Sequence, residues 1–404
     1  MKALINWQHV VFLLLLSLVA GMNSAMAQAA SGTPITQNLQ QSTANPRLVR
    51  ITHGDAKGTI LASVAPGVLY KSTDEGATFT KLAEITYQSG VTWDCCGVLY
   101  EMPSTVGSLP VGTLLFAADY CDGTSLSINI YSSSDDGTSW SYLSTPVSGG
   151  PCVKKGSGEQ GVPGEGVWEP EFELASNGAL VMFWSDETDP CCSQKLSQIR
   201  TFDGATWRDK RNTVALGDHA ARPGMAVVSK LPSGKYFMTY ELCGTAACAA
   251  MYRTSADGWD FGPPSKTGTR ITTASGRYFE HAPRNIWLPS EDSGDRPFPA
   301  NSRQGKLLVV GQVLHEKDGA VSGQDGEILF ENASEDGSGK WKSIPAPVKV
   351  PSANITGTDV CQNYSSSLLP VQEGLALLEM ASDWNSAGKC TSYYATGRVP
   401  HHLP

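Results

Sequence analysis

Short apolar runs separated by turn residues recur along most of the chain, and no long stretch keeps a helical period. Val167-Trp168-Glu169-Pro170-Glu171-Phe172-Glu173-Leu174 is followed by an Asn177-Gly178 turn and then by Leu180-Val181-Met182-Phe183-Trp184-Ser185-Asp186-Glu187. Two such runs joined by Asn-Gly predict a hairpin. Met225-Ala226-Val227-Val228-Ser229-Lys230-Leu231, a Ser233-Gly234 turn and Tyr236-Phe237-Met238-Thr239-Tyr240-Glu241 predict another. The expected class is all-β, built from many short strands.

A second pattern repeats at longer range. Ser72-Thr73-Asp74-Glu75-Gly76-Ala77-Thr78-Phe79 and Ser133-Ser134-Asp135-Asp136-Gly137-Thr138-Ser139-Trp140 share the order Ser-x-Asp-x-Gly-x-x-aromatic. Weaker copies contain Asp203-Gly204 with Trp207, Asp257-Gly258 with Phe261, and Asp336-Gly337 with Trp341. The carboxylate in such a turn accepts backbone N–H bonds across the loop, and the glycine supplies a positive φ. The aromatic then returns to the sheet and packs there. These aspartates are therefore expected to be structural; the closing glutamate of a calcium loop is missing. The repeat resembles the Asp-box of sialidase-like β-propellers. Five marked blades plus the unmarked stretch 342–404 imply a six-bladed β-propeller with Asp-box turns. A segment near Leu48–Ile51 is expected to complete the last blade, and residues 28–404 to form one catalytic domain.

The first residues read differently. Val10–Ala20 is a short apolar core and Ala25-Met26-Ala27 is a small-x-small pattern, so residues 1–27 read as a signal peptide rather than an uncleaved anchor. An exported protein without a membrane span is expected, outside the cell or in a periplasm. The ten cysteines fit an oxidising compartment. An eight-membered ring is strained, so the adjacent pairs Cys95-Cys96 and Cys191-Cys192 are expected to staple separate segments. Neither a Cys-x-x-Cys nor a His-x-x-x-His spacing supports a zinc site, and no metal or cofactor is called for. Asn332, Asn354 and Asn363 each open a glycosylation sequon. The net charge of −9 and the absence of any basic block argue against a nucleic-acid partner. A neutral or cationic small partner, and a monomer, are expected.

Candidate chemistry comes from acids inside apolar strands, where desolvation is costly unless the group is paired or functional. Glu169 opens one strand and Glu241 closes another. Two carboxylates converging at a propeller axis suit glycoside hydrolysis, one as proton donor and the other ionised. Salt bridges to rim arginines are the plain alternative. The runs Val167-Trp168-Glu169-Pro170, Phe183-Trp184-Ser185-Asp186-Glu187, Arg222-Pro223-Gly224-Met225 and Tyr236–Glu241 resemble glycoside hydrolase family 93, as do Asn45–Arg50 and Asp94–Glu101. The resemblance implies a six-bladed exo-1,5-α-L-arabinanase acting with retention on an oligo- or polysaccharide. It implies Glu169 as nucleophile and Glu241 as acid/base. Arg47, Asp94, Trp168, Asp186, Arg222, Tyr240 and Tyr364 are the candidate substrate contacts, with a solvated turn as the rival reading of Asp186 and the orienting of a glutamate as that of Arg47 and Arg222. Core packing is as good a reading of Trp168, Trp184 and Tyr240. The rival enzyme is a sialidase using Tyr364 as nucleophile and Arg47, Arg222 and Arg284 to grip a carboxylate. The rival without chemistry is a glycan-binding propeller.

Overall fold

The computed structural model describes residues 30–155, 158–161, 165–289, 305–351 and 359–399. The proposed signal peptide and the Asn354 sequon lie outside the described residues. Six antiparallel sheets follow one another along the chain. Blade 1 comprises Arg47–Arg50, Ile60–Val64, Val68–Ser72 and Thr80–Glu84. Blade 2 runs from Thr92–Glu101 through Leu114–Cys121, Ser125–Ser133 and Ser141–Lys155 to Gly158–Gly161. Blade 3 is Val167–Leu174, Leu180–Asp186, Lys195–Thr201 and Arg208–Val214. Blade 4 is Arg222–Lys230, Tyr236–Cys243 and Ala249–Ser255, with three short outer strands. Blade 5 is Arg284–Pro289, Gly305–Val310, Ile328–Asn332 and Lys342–Pro345. Blade 6 is Ser367–Val371, Ala376–Trp384 and Cys390–Arg398, with Thr33–Pro34 as its outer strand. The first strand of each blade touches that of the next, and blade 6 touches blade 1, so the sheets close into a six-bladed propeller. No helix among the described residues is long and apolar enough to cross a membrane.

Closure corrects one expectation. Thr33 and Pro34 pair with Tyr394 and Tyr393, whereas Arg47–Arg50 is the innermost strand of blade 1 and pairs with Ile60–Ser63. A two-residue strand has no apolar alternation to betray it, while Leu48–Ile51 does.

The Asp-box turns explain how the blades lock. The Asp74 carboxylate accepts from Ser72 Oγ at 2.7 Å, Thr78 N at 2.9 Å and Thr78 Oγ1 at 2.6 Å. These donors favour the ionised form, and the Thr78 hydroxyl leads in holding its pKa down to about 2. The aromatics of the motif wedge between blades. Phe79 packs edge-on against Tyr394 of blade 6, Phe261 against Phe183 of blade 3, and Trp341 against Phe237 of blade 4. A Cβ on Gly137 would stand 3.2 Å from Leu61 of blade 1, so that turn also seats against its neighbour. Of the sequon asparagines, Asn332 and Asn363 are buried and donate to backbone carbonyls, which leaves neither amide presented to solvent.

Ten cysteines form five disulfides, and two of these overturn the expected pairing. Cys95 bonds Cys96, and Cys191 bonds Cys192. The other bonds are Cys121–Cys152, Cys243–Cys248 and Cys361–Cys390. Cys95–Cys96 sits in an irregular stretch of the blade 2 inner strand, where the register breaks on both sides of Cys95 and Cys96 has φ 64°. A bulge supplies the local turn that an adjacent-residue ring needs and a regular strand does not.

Candidate active site

The Asp-boxes follow the third strand of their blades, so they lie at the end where the innermost strands finish. The opposite end, where the innermost strands begin, concentrates unusual backbone. Asn45, Cys96, Glu169, Met225, His281, Ala282, Asn363 and Ser365 all have positive φ without being glycine, and every blade contributes at least one. Such conformations cost about 1–3 kcal/mol each and persist where the surroundings hold them. They ring the axis at a single face.

A narrow cavity opens there, lined by Arg47 of blade 1, Glu169, Pro170 and Glu171 of blade 3, Met225, Ala226 and Val227 of blade 4, Pro283 and Arg284 of blade 5, and Ser365 before blade 6. Glu169 reaches it through a bulge between Trp168 and Glu171 in the innermost strand of blade 3. A matching bulge between Gly224 and Val227 in blade 4 turns the Met225 amide towards it. Glu169 Oε2 accepts from Ser185 Oγ at 2.6 Å and Met225 N at 3.0 Å. Its own N–H donates to Asp119 Oδ2 at 3.2 Å. Burial, and then the charge on Glu241, push the Glu169 carboxyl up to about 7 against those two donors.

Glu241 comes from the second strand of blade 4 and is the direct cross-strand partner of Gly224. A Cβ on Gly224 would stand 3.6 Å from Glu169 Oε2 and 3.2 Å from Ser185 Oγ. Gly224 thus pairs with the Glu241 backbone and lies close to the Glu169 carboxylate, so a side chain there would intrude on Glu169. Glu241 Oε2 accepts from Ala282 N at 2.8 Å and lies 3.5 Å from His281 Nδ1.

Tyr364 closes the group. Its hydroxyl donates to Met225 Sδ at 3.4 Å, and burial followed by the charges of Glu169 and Glu241 holds its pKa well above that of an ordinary phenol. Beneath it, Arg47 is buried and donates to the carbonyls of Pro46 and Ser365, while its Nε has no partner. Arg284 lies 3.5 Å from Glu171. Burial lowers the pKa of both guanidiniums, with Arg284 adding to the effect at Arg47. The structure thus places Arg47, Glu169, Glu241 and Tyr364 near one another.

Other predicted contacts fall elsewhere. Tyr240 is fully buried in the core between blades 3 and 4, because neighbours in a strand face opposite sides and Glu241 takes the axial one. Trp184 likewise lies in the core between blades 2 and 3. Asp186 is buried and held by Lys210 at 3.0 Å, Ser197 and Thr188, so its oxygens are engaged within blade 3. Arg222 binds Glu187 and Gln194, away from Arg47 and Arg284. Trp168 packs on the Cys121–Cys152 disulfide and donates to Glu187 Oε2 at 3.0 Å. Asp94 lies on the innermost strand of blade 2, its side chain outside the described residues.

Sequence reasoning passed over Asp119, Ser185 and His281. Asp119 bears the same signal as Glu169, an acid at the end of an apolar strand, Leu114–Cys121, and it is fully buried. Two clusters juxtapose metal-ligand types, Cys243–Cys248–His281 and Cys95–Cys96–Asp119. In both the sulfurs are joined in disulfides, so neither offers the thiolates that zinc takes.

No family model matches the chain, and no curated protein matches it in sequence. Solved structures do. An α-L-arabinanase of Penicillium chrysogenum, complexed with arabinobiose, is 26% identical with a TM-score of 0.68, over 92% of this chain and 97% of that one. The GH93 α-L-arabinofuranosidase of Fusarium graminearum, with arabinobiose, is 23% identical with a TM-score of 0.70, over 92% and 98%. The NanB sialidase of Streptococcus pneumoniae shares the fold at 11% identity and a TM-score of 0.51, over 91% of this chain and 70% of that one. The protein is a glycoside hydrolase built on a six-bladed Asp-box propeller and resembling the family 93 arabinanases.

Proposed function

We propose that the protein is an exo-acting glycosidase that removes terminal arabinofuranosyl units from α-1,5-L-arabinan with retention. The observation that carries this is the Glu169–Glu241 pair, drawn from blades 3 and 4 and close enough for the Glu241 charge to raise the Glu169 pKa, beside a cavity that Glu169 lines with residues of four other blades. The arabinobiose-bound enzymes that the fold resembles support the sugar.

Glu169 is the nucleophile in this reading. It lines the cavity, and two donors on one oxygen hold it in place and favour its charge. Glu241, on the strand end beside the cavity, gives its proton to the leaving oxygen and later takes one from water. Below about pH 7 the two carboxyls retain a proton between them, because the buried Glu169 cannot ionise cheaply beside a charged Glu241. Catalysis uses the form with that proton on Glu241. Arg47 and Arg284 supply donors to sugar hydroxyls, and Tyr364 covers the opposite side.

The sialidase reading lacks its third convergent arginine: Arg222 is paired with Glu187 and Gln194 and does not line the cavity that Arg47 and Arg284 line. Assay of the purified protein on linear arabinan, arabino-oligosaccharides and a sialoside tests the proposal. Release of arabinose alone is expected; release of sialic acid, or of internal fragments from arabinan, overturns it.

A further inference from the structure

Glu241 sits two residues before Cys243, whose disulfide with Cys248 ties the end of one blade 4 strand, Tyr236–Cys243, to the start of the next. Cys243 Sγ lies 3.4 Å from Glu241 Oε1 and 4.0 Å from His281 Nδ1. The Cys248 carbonyl accepts the His281 N–H at 3.0 Å, and the next residue, Ala282, donates its N–H to Glu241 Oε2 at 2.8 Å. One covalent link therefore governs both oxygens of Glu241, one through a sulfur contact and the other through the His281–Ala282 backbone. Left-handed conformations occur at Ala247 and Cys248, within the loop the bond closes, and at His281 and Ala282, which are hydrogen-bonded to Cys248. Without a restraint they would relax.

We infer that the Cys243–Cys248 disulfide is a positioning element for Glu241, and that its reduction disables proton donation by this carboxyl while leaving the rest of the site in place. The inference rests on the reading of Glu241 as the proton donor. Opening the bond takes two electrons and two protons from a dithiol, which leaves as its own cyclic disulfide, and the Sγ–Sγ bond becomes two thiols. The bond is a redox-sensitive control on the acid/base alone. Glu169 is held separately by Ser185 and Met225.

The test exploits the leaving group. Arabinose leaves arabinobiose only with a proton, whereas 2,4-dinitrophenolate leaves 2,4-dinitrophenyl α-L-arabinofuranoside without one, and kcat/KM reports the step in which each leaves. In the Cys243→Ser/Cys248→Ser protein, kcat/KM for arabinobiose is expected to fall about 10²-fold, and that for the dinitrophenyl glycoside by no more than about 3-fold. Wild-type protein treated with dithiothreitol, with alkylation mapped to Cys243 and Cys248, is expected to behave alike and to recover on reoxidation. This arm decides the matter where the double variant does not fold. Equal losses on both substrates mean a merely structural bond and overturn the inference, as does full arabinobiose activity with both cysteines alkylated. Glu241→Gln separates this from the underlying reading. If that variant keeps its arabinobiose activity, the assignment of Glu241 itself fails; if it is inactive while the cysteine variant is normal, only the role of the disulfide fails.

Discussion

Replacing Ser185 with alanine removes the 2.6 Å hydrogen bond to Glu169 Oε2 and leaves the Met225 N–H at 3.0 Å as the donor there. A hydrogen bond to a charged group contributes about 1.5–3 kcal/mol, and one pKa unit is about 1.4 kcal/mol, so ionising Glu169 becomes harder by about 1–2 units. Two consequences follow in a profile of kcat/KM against pH. The pair gives up its last proton near 7 in the wild type, so the descending limb moves up by about 1–2 units. Within the singly protonated pair the same energy disfavours a charged Glu169, so the plateau drops by about 10- to 150-fold. Arabinobiose hydrolysis, followed from acid to alkaline pH with folding checked by circular dichroism, reads both. An elevated limb with an unchanged or higher plateau would refute the assignment, because losing the donor would then have favoured the working proton on Glu169. An unmoved limb would refute the link between Ser185 and the titrating pair.

The remaining predictions concern the frame and the spacing of the site. Gly224→Ala places a Cβ 2.5 Å from Gln194 Nε2 and 3.6 Å from Glu169 Oε2, and turnover should fall by about 10²-fold with the melting temperature little changed; normal turnover would mean that a side chain there does not intrude on Glu169. Asp135→Ala loses the bonds from Ser139 and Ser133 and should lower stability by about 1 kcal/mol in urea titration, with the pH profile of activity unaltered. Burial lifts the pKa of Glu379 to about 8, above its unfolded value, so its neutral form stabilises the fold fully at low pH and that contribution is lost as pH rises through 8. Glu379→Gln should therefore flatten the fall in unfolding free energy, read by urea titration, between about pH 5 and 8, a difference on the order of 3–5 kcal/mol; parallel curves would contradict the assignment.

Much of the ring was legible because the Asp-box is a local device. Its hydroxyl, carboxylate and glycine act within six residues, so the motif survives in the sequence as it does in the turn. Closure was not legible, since Thr33–Pro34 joins blade 6 through a partner some 360 residues away and carries no pattern of its own. At the site, Glu169 and Glu241 stood out because a carboxylate inside an apolar strand needs a reason. Tyr240 was misplaced for want of one step: with Glu241 on the axial face, strand alternation sends its neighbour to the core. Asp186 met the same fate, beside Ser185, which faces Glu169. The bonds between adjacent cysteines were hidden because ring strain argues against them in a regular strand, and the bulge that admits Cys95–Cys96 depends on packing across blade 2.

In the proposed reaction Glu169 attacks the anomeric carbon of a terminal arabinofuranosyl unit. Inactivation with a 2-deoxy-2-fluoro arabinofuranosyl donor, followed by peptide mapping, traps the intermediate at the residue that forms it. A sugar mass on the peptide containing Glu169, absent in Glu169→Gln, is the predicted result. A sugar mass on Tyr364, or on Glu241, would contradict it.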